Sequence, residues 1–165
     1  MKFLRTISFD LTDSRVYEQA AEAGEVAVSG AFEFAGATPG TLTGKRKQAF
    51  ANGFLGLASF GRSTFVTVGE ITKEQREDIL AALAQHFVSE YGAPSPTEAR
   101  QAAEDEAAFI DDLVRDASIN TVFSVLRRID DQGEIVEQFR VIEAPRGEAP
   151  HARVWMIESD GSQEP

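Results

Sequence analysis

The chain predicts an α+β fold, an antiparallel or mixed sheet of about five strands with three helices packed mainly on one face. Three observations carry this expectation. Several short segments alternate apolar and polar residues, two long segments carry helix start and stop signals, and a polar turn ending in Gly133 separates two β-rich runs.

"KFLRTISFD" places Phe3, Ile7 and Phe9 on one face, interrupted by Arg5, as a strand buried on one side would. "EVAVSGAFEFA" predicts a second strand, with Val26, Val28, Phe32 and Phe34 on one face and Ala27, Ser29, Ala31 and Glu33 on the other. Gly30 falls on the packed face, where it marks a bulge or a close crossing. A helix is expected from near Thr41, after "GATPG", through Lys45, Ala49 and Phe50.

The stretch that follows, "GFLGLASFGRSTFVTVGE" from Gly53, admits two structural readings. If the helix stops at Asn52, Gly53 is its left-handed terminal residue and Phe54 packs back on the last turn. If it continues, Leu42, Ala49, Phe50, Gly53, Phe54 and Leu57 keep helical spacing. A third reading is an exposed apolar loop that docks a partner. A phosphate cradle is disfavoured, because such loops follow a strand and open a helix, whereas this stretch precedes its strand.

"STFVTVGEI" has apolar residues on both faces at Phe65, Val66 and Val68, as an interior strand would. Thr72 and Gln75 form a capping box that opens a helix. Its apolar stripe is Ile79, Leu80, Leu83, Ala84, Phe87, Val88 and Tyr91, and Gly92 and Pro94 end it. Ser95, Pro96 and Glu98 supply a cap, a first-turn proline and an acidic third residue for the next helix, which is expected to run to about Asp116. "NTVFSVLRRIDDQGEIVEQFRVIEA" reads as a hairpin around "DDQG". Residues 1–145 are thus expected as a single domain, with 146–165 a C-terminal tail, docked in part or disordered. Within that tail the apolar patch Val154 to Ile157, which holds the sole tryptophan, reads as a strand docking on the domain in preference to a segment gripping another subunit.

Composition narrows function. A length of 165 residues suffices for one self-sufficient core. The absence of cysteine excludes disulfides, thiolate zinc sites and thiol nucleophiles. Sixteen Lys and Arg against 27 Asp and Glu give a formal charge of −11, which disfavours nucleic acid as a partner. The basic cluster Lys45 to Lys47 reads as a solvated helix face. The opening residues lack an apolar run of signal-peptide length and no window reaches the roughly 18 apolar residues of a membrane span, so cytoplasmic residence without membrane contact is expected.

Reactive constellations are sparse. "PGTLTGKR" resembles a nucleotide-binding loop, but Pro39 replaces its first glycine and Arg46 its magnesium-binding hydroxyl, so nucleotide hydrolysis is disfavoured. The histidines are His86 and His151 alone, and a two-histidine metal site would need both, the second from a Pro- and Gly-rich tail. His86 and Glu90, four apart, read as a helix-surface pair. No Gly-x-Ser-x-Gly elbow occurs. No catalytic residue, metal or cofactor is therefore expected.

Glu106 is the conspicuous residue. It projects from the middle of the stripe Ala99, Ala102, Ala103, Ile110, Leu113, Val114 and Ala117. A carboxylate there must find a cation or donors, or take up a proton. Arg5, Arg62, Arg127 and Arg128 are the available cations, and Glu106, Arg62 and Arg127 are the candidate ligand-binding residues.

"MKFLRTISFD", "VAVSGAFEF" and "LTGKRKQAFANGFLGLASFGRST" resemble segments of a small proteobacterial family catalogued as a domain of unknown function, to about residue 145. That resemblance brings no activity, cofactor or site residues. It implies an accessory role beside a multi-subunit redox enzyme of the molybdenum-dependent formate dehydrogenase kind. The expected function is a non-catalytic accessory or protein-interaction protein, acting as a homodimer or on another protein. The alternative is a small-molecule-binding protein or enzyme holding a polar ligand between helices and sheet through Glu106 and an arginine.

Overall fold

The computed structural model describes residues 1–143 and 157–158. Its strands are β1 (Lys2–Ile7), β2 (Val26–Val28), β3 (Phe54–Gly56), β4 (Arg62–Ser63), β5 (Phe65–Glu70), β6 (Val122–Ile129), β7 (Ile135–Glu143) and β8 (Ile157–Glu158). The helices are α1 (Thr12–Val16), α2 (Gly44–Asn52), α3 (Lys73–Tyr91) and α4 (Pro96–Val114). All strands join one sheet in the order β4-β3-β2-β1-β5-β6-β7-β8, and every pairing is antiparallel. The class is α+β, with eight strands rather than about five, because β3, β4 and β8 have only two or three residues each and too few positions for an alternation to show.

β1 lies between β2 and β5, with Leu4 opposite Val68 and Thr6 opposite Val66. Phe3 and Leu4 are both fully buried, so this strand is covered on both faces rather than one. β2 is shorter than its alternation predicts. Gly30 adopts φ 80°, and a Cβ there would sit 2.6 Å from the Leu55 Cβ. The chain turns at that glycine into a short 3-10 helix, Ala31–Phe34, which buries Phe34. The predicted extension of the strand through Phe32 and Phe34 is corrected accordingly.

The first reading of the Gly53 stretch holds for the helix end and fails for its cap. α2 ends at Asn52, but Gly53 is extended at φ −99°, and Phe54 enters β3 instead of packing back on the helix. Space at Gly53 is tight: an added Cβ would lie 3.0 Å from the Arg62 Cδ and from the Ala49 carbonyl oxygen, so a larger residue there would press on both.

α3 and α4 start as their caps dictate. Thr72 and Gln75 exchange hydrogen bonds of 2.8 and 3.0 Å, and the Ser95 hydroxyl accepts from the Glu98 amide at 3.1 Å. Gly92 closes α3 in the left-handed conformation. Ile79, Leu80, Leu83 and Phe87 are buried, whereas Val88 and Tyr91, expected in the stripe, are exposed. In α4 the inward row is Ala99, Ala103, Ala107, Ile110 and Val114, and Ala102 faces solvent. Small side chains at four-residue spacing let α4 lie close against α3, β1 and β2. Bidentate Arg76–Asp111 contacts of 2.9 and 2.7 Å fasten α3 to α4.

A second, smaller core of Phe34, Leu42 and Phe50 sits beneath α2 against Ile129 and Ile135. No helix among the described residues is long and apolar enough to cross a membrane. Ile157–Glu158 pairs with β7, while His151 and the patch residues Val154, Trp155 and Met156 lie outside the described residues.

Candidate functional site

Two buried arginines meet at one carbonyl. Arg127, on β6, donates from Nε to Glu137 at 2.8 Å, from Nη1 to the Phe50 and Gly53 carbonyls at 2.8 and 2.9 Å, and from Nη2 to the Ser29 carbonyl at 2.5 Å. Two of these acceptors lie at the C-terminal end of α2, where a cation complements the helix dipole. Arg62, on β4, donates from Nη1 to the same Gly53 oxygen at 3.0 Å and from Nη2 to the Gly30 carbonyl at 3.1 Å and Glu33 Oε1 at 2.5 Å. Burial pulls both guanidinium pKa values down, against their carboxylate partners, yet from so high a start that both stay charged. Each buried cation is thus paired and hydrogen-bonded, as desolvation demands.

Glu106 stands beside Arg127 without bonding to it. Burial pushes its carboxyl up to about 7, the charges of Glu137 and Asp105 push the same way, and Arg127 opposes them. No hydrogen bond or ion pair to Glu106 forms among the described residues. The three sequence-predicted residues therefore share one neighbourhood, linked through Arg127 and the Gly53 carbonyl, but they do not converge on a common ligand space. Of the other proposed cations, Arg5 donates to the Gly24 carbonyl at 2.9 Å and Arg128 is exposed.

Arg62 borders a cleft of about 210 Å³, which Glu106 does not line. Its floor is the Arg62–Glu33 pair, its rim carries Glu18, Lys45 and Arg46, and Phe60 forms one wall. Lys45 and Arg46 are exposed and form no ion pair among the described residues. The guanidinium groups of Arg46 and Arg62 lie 5.1 and 4.9 Å from the Phe34 ring centre, which fixes them over the small core. Tyr17 is buried beside this floor, its hydroxyl 2.8 Å from Thr64 Oγ1, and burial raises its pKa to about 12, so it stays a neutral donor.

Behind the Phe60 wall sits His86. The two rings stack with centroids 4.0 Å apart at 11°, and His86 Nε2 lies 3.6 Å from Glu33 Oε2. Phe32 and Tyr91 meet the imidazole with tilted or edge-on rings. His86 is therefore no helix-surface partner of Glu90, since its side chain is only 13% exposed and faces Glu33.

Phe60 itself adopts φ 58°, a left-handed conformation that costs a bulky residue free energy. The surrounding turn enforces it. The Phe60 amide donates to the Gly56 carbonyl at 3.0 Å, and Glu25 accepts from the Ala58 and Ser59 amides at 3.0 and 2.9 Å and from the Ser59 hydroxyl at 2.7 Å. Burial alone would raise the Glu25 carboxyl, but these bonds and one from the Glu22 amide outweigh it and hold its pKa below the ordinary value. Gly61 follows because a Cβ there would come within 2.6 Å of the Ala20 backbone.

Sequence reasoning missed Glu33, Phe60, His86 and Glu25 as parts of one site. The available signals were a glycine on a packed face at Gly30 and the Phe60–Gly61 step in a turn. The cleft offers charge, donors and an aromatic wall, and among the described residues no group of three or more His, Cys, Asp or Glu could hold a metal ion. The chain belongs to a family of unknown function, DUF6505, whose model matches residues 1–155, about ten residues beyond the stretch expected from the sequence. Neither the curated proteins nor the solved structures contain a match.

Proposed function

We propose that this member of a family of unknown function is a binding protein that takes a small anionic molecule into the cleft over Arg62. One observation carries the reading. In a chain of net charge −11, Lys45 and Arg46 stand together on the rim without carboxylate partners among the described residues, above a floor whose own charges are paired. Cations of that kind in a concave site concentrate anions locally even where the net charge repels them. Among the described residues that line the cleft, none pairs a nucleophile with a base, which favours binding over turnover. Compared with the sequence-based alternative, Arg62 is retained as part of the site and Glu106 stands outside it.

Calorimetric titration with inorganic phosphate and with acetate tests this reading. Saturable binding is expected, weakened about tenfold by Arg46→Ala through loss of a charge-assisted contact and weakened further by added salt. Absence of saturable binding, or identical affinity in the variant, overturns it.

A second reading, the protein-interaction role, draws on Phe9 and Leu11, which are 67% and 70% exposed in the loop after β1. Sedimentation of the wild type against Phe9→Ser/Leu11→Ser tests it through self-association, and an unchanged monomeric distribution for both removes the homodimer.

A further inference from the structure

We propose that the ligand is a planar, single-ring acid whose ring lies on Phe60 and whose acidic group meets Arg46 and Lys45. This inference rests on the binding reading above and adds the chemical class of the ligand.

Size sets the first limit. At about 210 Å³ the cleft falls below the roughly 300–1,000 Å³ of sites for drug-sized ligands, so one ring with one acidic group is the scale it accepts.

The wall gives the shape. Phe60 has His86 stacked on one side of its ring at 4.0 Å and is half-buried where it borders the cleft. The imidazole backing fixes the orientation of the phenyl ring, leaving it little freedom to lose when a ligand binds. His86 is held in turn by the rings of Phe32 and Tyr91. A flat aromatic surface presented in this way favours a flat partner through offset or tilted ring contact.

The position of Phe60 is also costly to maintain. A left-handed residue in a turn is ordinarily Gly, Asn or Asp, whereas here an aromatic residue occupies it and a buried carboxylate, Glu25, holds the turn around it. Strained backbone held by surrounding structure clusters where a side chain must be aimed. The cations then set the remaining half of the ligand. Lys45 and Arg46 line the same cleft as Phe60, and a guanidinium fork suits the paired oxygens of a carboxylate.

The test compares benzoate with cyclohexanecarboxylate, which share charge and approximate size but differ in planarity. Wild-type protein is expected to bind benzoate about fivefold to tenfold more tightly, the scale of one aromatic contact. Phe60→Leu is expected to bring that preference close to unity, by weakening benzoate more than cyclohexanecarboxylate. In the wild type, nuclear Overhauser contacts between benzoate protons and the Phe60 ring provide a readout that does not require the variant to fold. Equal affinity for the two acids, a preference that survives in the variant, or ligand contacts that bypass Phe60 would overturn the inference. Should phosphate and acetate bind through Arg46 while benzoate gains nothing over its saturated analogue, the planar class alone fails; if none of the anions binds, the cleft reading fails with it.

Discussion

Glu106 shows what one misplaced charge does to stability. Its carboxyl titrates near 7 in the folded chain against an ordinary value of 4.5. Between those values the folded chain keeps a proton that the unfolded chain releases, so stability declines as pH rises across that interval and the loss is complete above it. The full effect is on the order of 3 kcal/mol, an upper figure for a half-buried group. Glu106→Gln is accordingly expected to melt several degrees higher than wild type at pH 8 and at nearly the same temperature at pH 4, followed by circular dichroism. Parallel pH profiles for the two proteins would show that the carboxylate is solvated and unstrained.

Glu25 has the opposite sign. Its folded pKa is depressed, so its contribution is present above the ordinary carboxylate value and is lost as pH falls through the depressed one. The consequence belongs to the whole turn between β3 and β4, because the same carboxylate receives both turn amides and the Ser59 hydroxyl. Glu25→Gln is expected to cost about 2 kcal/mol at neutral pH, since an amide offers one acceptor where the carboxylate offers two. It is also expected to speed hydrogen exchange at Ala58 and Ser59 while leaving the α4 amides protected. Uniform acceleration across the molecule, or none at the turn, would contradict this assignment.

At the same scale the long elements were legible and the short ones were not. α3, α4 and the β6–β7 hairpin each combine a periodic apolar pattern with a cap or turn residue that has one physical use, and the structure places them within a residue or two of expectation. The alternation overextends β2, because Phe32 and Phe34 continue it by identity although Gly30 has already turned the chain. β3 and β4 escaped notice because their pairing is decided by partners far along the chain rather than by their own residues. The site shared that fate. Arg62 and Arg127 could be singled out as cations near buried strands, but the Gly53 carbonyl that joins them and the Glu33–His86 contact depend on the 3-10 turn after β2.

Over the whole molecule, the antiparallel sheet and the α3–α4 pair form the principal core, and α2 with the turn after β2 forms a smaller one against Ile129 and Ile135 of the β6–β7 hairpin. The cleft lies beside the smaller core, where chain segments from the first half of the sequence meet and where the basic residues of α2 reach the surface. In a strongly acidic molecule, Lys45 and Arg46, without ion pairs among the described residues, stand beside the Phe60 wall and give that cleft a local polarity that a uniformly acidic surface would lack.

The central claim is that the Arg62 cleft is a binding site for an anion. Amide and side-chain chemical shifts of isotope-labelled protein, followed during titration with inorganic phosphate at constant ionic strength, test it most directly. Saturable shifts concentrated at Lys45, Arg46 and Phe60, and absent around Glu106, are predicted. A linear drift without saturation, or saturable shifts centred elsewhere on the fold, would contradict the claim.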